Sequence, residues 1–156
     1  MIVQGTDAST GAPFSFETDK TVADFSHLSR LELTKEQLSR RIDNLAISAD
    51  AKDMLNRLSN IAVDVGGALI RLGRKILEVV LEVYSKFPAA TFGIVFGLIA
   101  GALVGDIKLI GHLAGKTITA ILVIFFGAQG FQLDVKNQEL KNQAELARAQ
   151  FSAFGA

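Results

Sequence analysis

Phe87 to Gly105, FPAATFGIVFGLIAGALVG, is nineteen residues without a charge. As a helix it would be about 28 Å long, close to the hydrocarbon thickness of a bilayer. This stretch decides the expected fold, because it reads as a first transmembrane helix, with Pro88 in the first turn, where a missing N–H costs nothing. Past Asp106 and Lys108 the apolar character resumes at Leu109, and seventeen uncharged residues run from Thr117 to Leu133 (TITAILVIFFGAQGFQL). These read as a second span. The break between the two is short, so an antiparallel hairpin is expected, with both chain ends on one side.

Basic residues near the span ends give an orientation. Arg71, Arg74, Lys75 and Lys86 precede the first span, Lys136 and Lys141 follow the second, and only Lys108 and Lys116 lie at the turn. The excess puts both termini on the cytoplasmic or interior side. Arg71, Arg74 and Lys75 are also candidates to meet anionic lipid headgroups.

Within the first span Gly93, Gly97, Gly101 and Gly105 recur at every fourth position and line one helical face with bare backbone. In lipid, helices associate through close van der Waals packing, and faces of small residues are how they approach each other. Gly111 and Gly115 offer the same spacing in the second span. The ladder serves either the contact inside one hairpin or a boundary between subunits. His112, Lys116 and Thr119 form a polar stripe on one face near the turn, as interfacial anchors or as the lining of a pore.

Before the membrane, Thr34 and Gln37 stand in capping-box spacing, with Leu33 and Leu38 as a staple, so a helix should begin at Lys35. Ser48 or Asp50 can cap the next. From Leu55 through Leu58, Ala62, Val65, Leu69, Leu72, Ile76, Val79 and Val83 the apolar residues step three and four apart. That seam predicts one long amphipathic helix over 51–86. Ser59, Gly66 and Gly73 fall in the middle of its apolar face and form a groove without side chains, where a partner helix could lie close. After the membrane, Leu133, Leu140, Ala144, Ala147, Phe151 and Phe154 keep a weaker helical step, so a helix is expected to run on from the second span and lean on the long one. Thr21 to Leu31 fits a short helix with Val22, Phe25 and Leu28 inward.

The whole chain has 156 residues, 16 basic and 16 acidic, with a formal net charge of zero. That balance gives no electrostatic hold on nucleic acid. It contains no Cys and only two His, His27 and His112, which argues against thiolate chemistry and His-rich metal clusters. Gly111 to Thr117 reads GxxxGKT, one residue short of the phosphate-binding GxxxxGK[ST] loop, and apolar helical sequence flanks it on both sides. No carboxylate pair or Ser, His and Asp set suggests catalysis, and no cofactor or small-molecule substrate is implied. The opening residues have neither a basic region nor an apolar core, so a cleaved signal peptide is not expected there.

These readings converge on an all-α integral membrane protein: a mostly irregular polar segment over 1–33, an amphipathic helical region over 34–86, a transmembrane helical hairpin over 87–133, and a helical tail over 134–156. The expected function is non-enzymatic, as a structural or anchoring component of a membrane complex, viral or secretory. Its partners would be the lipid bilayer and either copies of itself or other membrane subunits. Two alternatives are an oligomeric, holin-like pore and a soluble helical bundle with a buried, insertable hairpin.

Overall fold

A computed structural model describes residues 1–7, 10–127 and 137–155. Most of it is helical, at 64%, but it also has a four-stranded antiparallel sheet. The all-α expectation is therefore corrected. Two strands come from the segment expected to be irregular: β1 (Ile2–Thr6) and β2 (Pro13–Glu17) pair with Val3 opposite Phe16 and Gly5 opposite Phe14. The cause is plain alternation, since Val3 is buried while Ile2, Gln4 and Thr6 face outward.

A short helix, α1 (Val22–Phe25), continues as a 3-10 turn over Ser26–Ser29 and buries Phe25 and Leu28, while Val22 stays exposed. Helix α2 (Lys35–Asp43) begins where the capping box expects it, with Thr34 Oγ1 accepting from Gln37 N at 3.1 Å and Gln37 Oε1 accepting from Thr34 N at 2.9 Å. Ser48 then caps α3 (Ala49–Ser59), its hydroxyl accepting from Ala51 N at 3.1 Å.

The long helix over 51–86 does not form. After α3 the chain makes a hairpin of β3 (Val63–Val65) and β4 (Ala68–Ile70), and only then enters α4 (Leu72–Lys86). Gly66 and Gly67 lie between the strands with φ of 59° and 91°, as a two-residue hairpin turn requires, and Gly67 N donates to Asp64 Oδ1 at 2.8 Å. The expected seam fails because Val63, Val65 and Ile70 satisfy a strand's alternation as well as a helix's spacing, and two consecutive glycines disfavour the helix. The sheet order is β2-β1-β3-β4. Val3, Val63, Val65 and Ile70 bury its inner face.

Next come α5 (Phe92–Phe96), a π-helical turn over Gly97–Gly101 and α6 (Ala102–Asp106), which form one apolar rod, Phe92–Asp106. The expected start at Pro88 is corrected, because Thr91 caps α5, accepting from Ile94 N at 3.3 Å, and Pro88 stays in the exposed loop before it. At the helical rise this rod is about 22 Å long, shorter than the hydrocarbon layer. Ile107 alone turns the chain into α7 (Lys108–Phe126), which ends at Gly127 with φ of 86°.

The two rods lie antiparallel. Val104 meets Gly111 and Gly115 near the turn, and Phe92 and Phe96 meet Phe125 at the far end, with ring centroids 6.0 and 6.1 Å apart. Helix α7 also packs along α3. The last helix, α8 (Gln138–Ala149), covers α4 and the π turn, and a 3-10 turn over Ser152–Phe154 completes the described chain. The leaning of the tail on α4 is thus as expected. The end of the expected second span, 128–133, Lys136 and any helical continuity into the tail lie outside the described residues.

Candidate membrane-facing hairpin

Helix α7 has 19 residues and mean hydropathy 1.9, long and apolar enough to cross a membrane, and 44% of that stretch is buried inside the protein. It is the one clear span candidate among the described residues. Its buried side carries Leu109, Ile110, Leu113, Ala114, Ile118 and Ile121. Its outer side runs from half-exposed His112 through exposed Lys116 and Thr119 to Val123 and Ile124, which are 44% and 39% exposed. The polar stripe read from the sequence therefore coincides with the outer face of α7 and grades into apolar side chains toward Phe126.

His112 is held from the sheet side. Its Nδ1 lies 3.3 Å from Asp7 Oδ2, and its ring stacks on Phe14 of β2 at a centroid distance of 5.0 Å and an interplanar angle of 19°. Gly5 of β1 sits directly on Leu113, where a Cβ would collide with the Leu113 side chain. Phe14, Phe16, Leu109, His112 and Phe154, with Lys108 at the edge, line an open and mostly apolar cleft of about 270 Å³.

The glycine ladder divides along its length. Gly93 is buried, and a Cβ there would stand 3.3 Å from the Phe125 ring. Gly97 is buried and Gly101 half-buried within the π turn that α8 covers. Gly105 is exposed, with open space where its Cβ would be, while a Cβ on Gly111 would lie 3.3 Å from the Val104 carbonyl oxygen and one on Gly115 would lie 3.6 Å from Val104 Cγ1.

The π turn has a partner that the sequence did not suggest. Arg148 of α8, half-buried, donates from Nη1 to the Leu98 carbonyl oxygen at 2.9 Å. A widened turn frees a mid-helix carbonyl, and the guanidinium satisfies it. The two residues lie 50 positions apart, so the pattern around Leu98 or Arg148 alone carries no trace of this contact.

The groove expected from Ser59, Gly66 and Gly73 is not a groove. Ser59 ends α3 with its hydroxyl donating to Asn56 O, Gly66 turns the β3–β4 hairpin against Met1 and Val22, and Gly73 lies against the Leu58 carbonyl. Two of the three headgroup candidates bond to backbone carbonyls of the 30–33 loop. Arg74 Nη2 donates to Leu33 O at 3.0 Å and Lys75 Nζ to Arg30 O at 3.1 Å, while Glu78 Oε1 accepts from Glu32 N at 2.7 Å and Leu33 N at 2.9 Å. Together these tie the 30–33 loop to α4. Arg71 alone of the three is exposed.

Among the described residues no group of three or more His, Asp or Glu side chains is placed to hold a metal ion. Compared with protein-family models, curated proteins and solved structures, the chain matches none of them.

Proposed function

We propose that this protein is a non-enzymatic, membrane-associated structural component whose apolar hairpin, α5 to α7, is the element that engages the bilayer. The observation that carries the reading is α7, which combines 19 residues, mean hydropathy 1.9 and an outer face that ends in exposed Val123 and Ile124. That outer apolar end is surface a membrane contact would use. The finer form of this reading is a two-span hairpin with both termini on one side, assembled with copies of itself or other subunits. To reach it from the compact fold, α8 would have to release Leu98 and the β1–β2 hairpin would have to release His112.

The test is carbonate extraction of membranes from expressing cells, followed by the mass of the protein in nanodiscs. Retention in the membrane fraction, with a defined oligomeric or complexed mass, is expected; quantitative release by carbonate would end the integral form.

The pore is a second reading, supported by the outward placement of Lys116 and Thr119 beside His112 on one helix face. It predicts leakage of a trapped dye from liposomes that His112→Leu combined with Lys116→Leu abolishes. Intact liposomes at every protein load would remove it.

A further inference from the structure

The sheet and helix α7 meet closely at one point and part at another. β1 lies directly on α7 at Gly5, where a Cβ would collide with Leu113, whereas β2 presents Phe14 and Phe16, two residues apart on the inner face, to the first turns of the same helix. Between them lies the cleft of about 270 Å³, walled by those two rings, Leu109, His112 and Phe154. Phe154 and Leu109 are 2% and 6% exposed, so core residues fix its floor, and stacking on His112 holds the Phe14 ring. Polarity is confined to one edge. Lys108 is exposed there and takes part in no ion pair among the described residues.

We propose that this cleft binds a linear acyl carboxylate, a medium-chain fatty acid, with its chain along the aromatic wall and its head beside Lys108. The site is independent of the membrane reading, since the cleft belongs to the compact fold. Size sets the chain length: a cavity of about 150 Å³ holds the six carbons of benzene, so about 270 Å³ holds about ten. Charge sets the head group. Lys108 is the one residue of fixed charge lining the cleft among the described residues, and it stands in the first turn of α7, where Ile107 supplies no side-chain cap and no acidic residue is present. That helix end carries partial positive charge and unpaired N–H donors. The nearest acidic groups leave it unanswered: Asp7 Oδ2 is turned to His112 Nδ1 at 3.3 Å, and Asp106, exposed before the cap, is not part of the lining. A neutral apolar ligand would leave this edge to water and a cation would be repelled by it, whereas a carboxylate with a hydrocarbon tail matches both parts.

The experiment is photolabelling of the full chain with decanoic acid bearing a terminal diazirine, mapped by peptide mass spectrometry and titrated with unlabelled competitors. Labelled peptides are expected to contain Phe14 and Phe16, Leu109 or Phe154, and decanoate is expected to compete at about tenfold lower concentration than decanol. An apolar cleft without a cation would give the reverse order, because a carboxylate costs more to desolvate than a hydroxyl. Lys108→Gln is expected to raise the decanoate concentration for half-competition by about fivefold to tenfold and to leave decanol unchanged. Lys116→Gln, about two turns further along α7 and outside the lining, is expected to match the wild type. Both lysines are exposed, so both variants are expected to fold. Decanol competing as well as decanoate, or Lys108→Gln leaving decanoate unchanged, overturns the proposal. Labelling that never saturates, or that falls only on other peptides, overturns it as well, while membrane association is read separately by carbonate extraction.

Discussion

Gly73→Ala is expected to destabilise the fold by more than about 3 kcal/mol, beyond the common range for overpacking, because there is no space for a methyl group at this position. A Cβ there would lie inside bonding contact of the Leu58 carbonyl oxygen, 2.7 Å from the Leu58 carbonyl carbon and 3.3 Å from Ser59 Cα. All three are backbone, so no rotamer change relieves the clash. The first turn of α4 is further joined to the segment just after α3 by Gly73 N donating to Ile61 O at 3.0 Å. Separating the helices enough to admit the methyl would break that bond and open the core around Leu55, Leu58, Leu72 and Ile76. In an exposed helix the same substitution would gain about 1 kcal/mol of propensity, so the sign itself is diagnostic. For a chain of this size the loss lowers Tm by about 6 to 12 °C. Thermal or urea unfolding monitored by circular dichroism measures it, and a variant within about 1 kcal/mol of the wild type would rule out the α3–α4 contact. Gly105→Ala is the matched control, because open space surrounds that position and no loss is expected.

Gly73 also shows what the residues alone could and could not tell. A glycine on the apolar face of a patterned segment does mark a place where another helix comes close, and it does so here. The partner is α3 of the same chain, which the expected 51–86 helix had absorbed into itself. Local chemistry was read correctly where it is local: the Thr34 box and the Ser48 cap depend on residues within four of each other, whereas of the three residues expected inward in 21–31 Phe25 and Leu28 are buried and Val22 is exposed. The antiparallel pairing of two apolar helices was likewise readable from the short break between them, and Gly111 and Gly115 meet Val104 inside that pair. What could not be read depends on distant residues. β1 finds β3 some sixty positions away, Asp7 finds His112, and Arg148 finds a carbonyl that is free only because of a π turn. The first apolar rod is shorter than the charge-free stretch that it overlaps, because lack of charge sets an upper limit on a helix while Thr91 and Ile107 set its actual ends.

Phe151→Ala should cost about 3 to 5 kcal/mol, the usual range for a fully buried phenylalanine, and Phe154→Ala a comparable amount. Phe151 is wholly buried and Phe154 is 2% exposed, its ring meeting Phe25 edge-to-face at 5.0 Å. His27 Nε2 lies within hydrogen-bonding distance of Gln150 O, so the end of α8 is also tied to the 3-10 turn after α1. Arg148 adds its bond to Leu98 O, and truncation there would leave that carbonyl without its partner, which costs about 1 to 3 kcal/mol. These contacts clamp the tail across α4 and the π turn of the hairpin. They therefore oppose any release of the rods from the compact fold. If the clamp exists, Phe151→Ala lowers the unfolding midpoint and raises hydrogen exchange in 92–106 together with that in α8. If Phe151→Ala leaves both unchanged, the tail does not hold the hairpin, and α5 to α7 are free to engage a bilayer without any opening step.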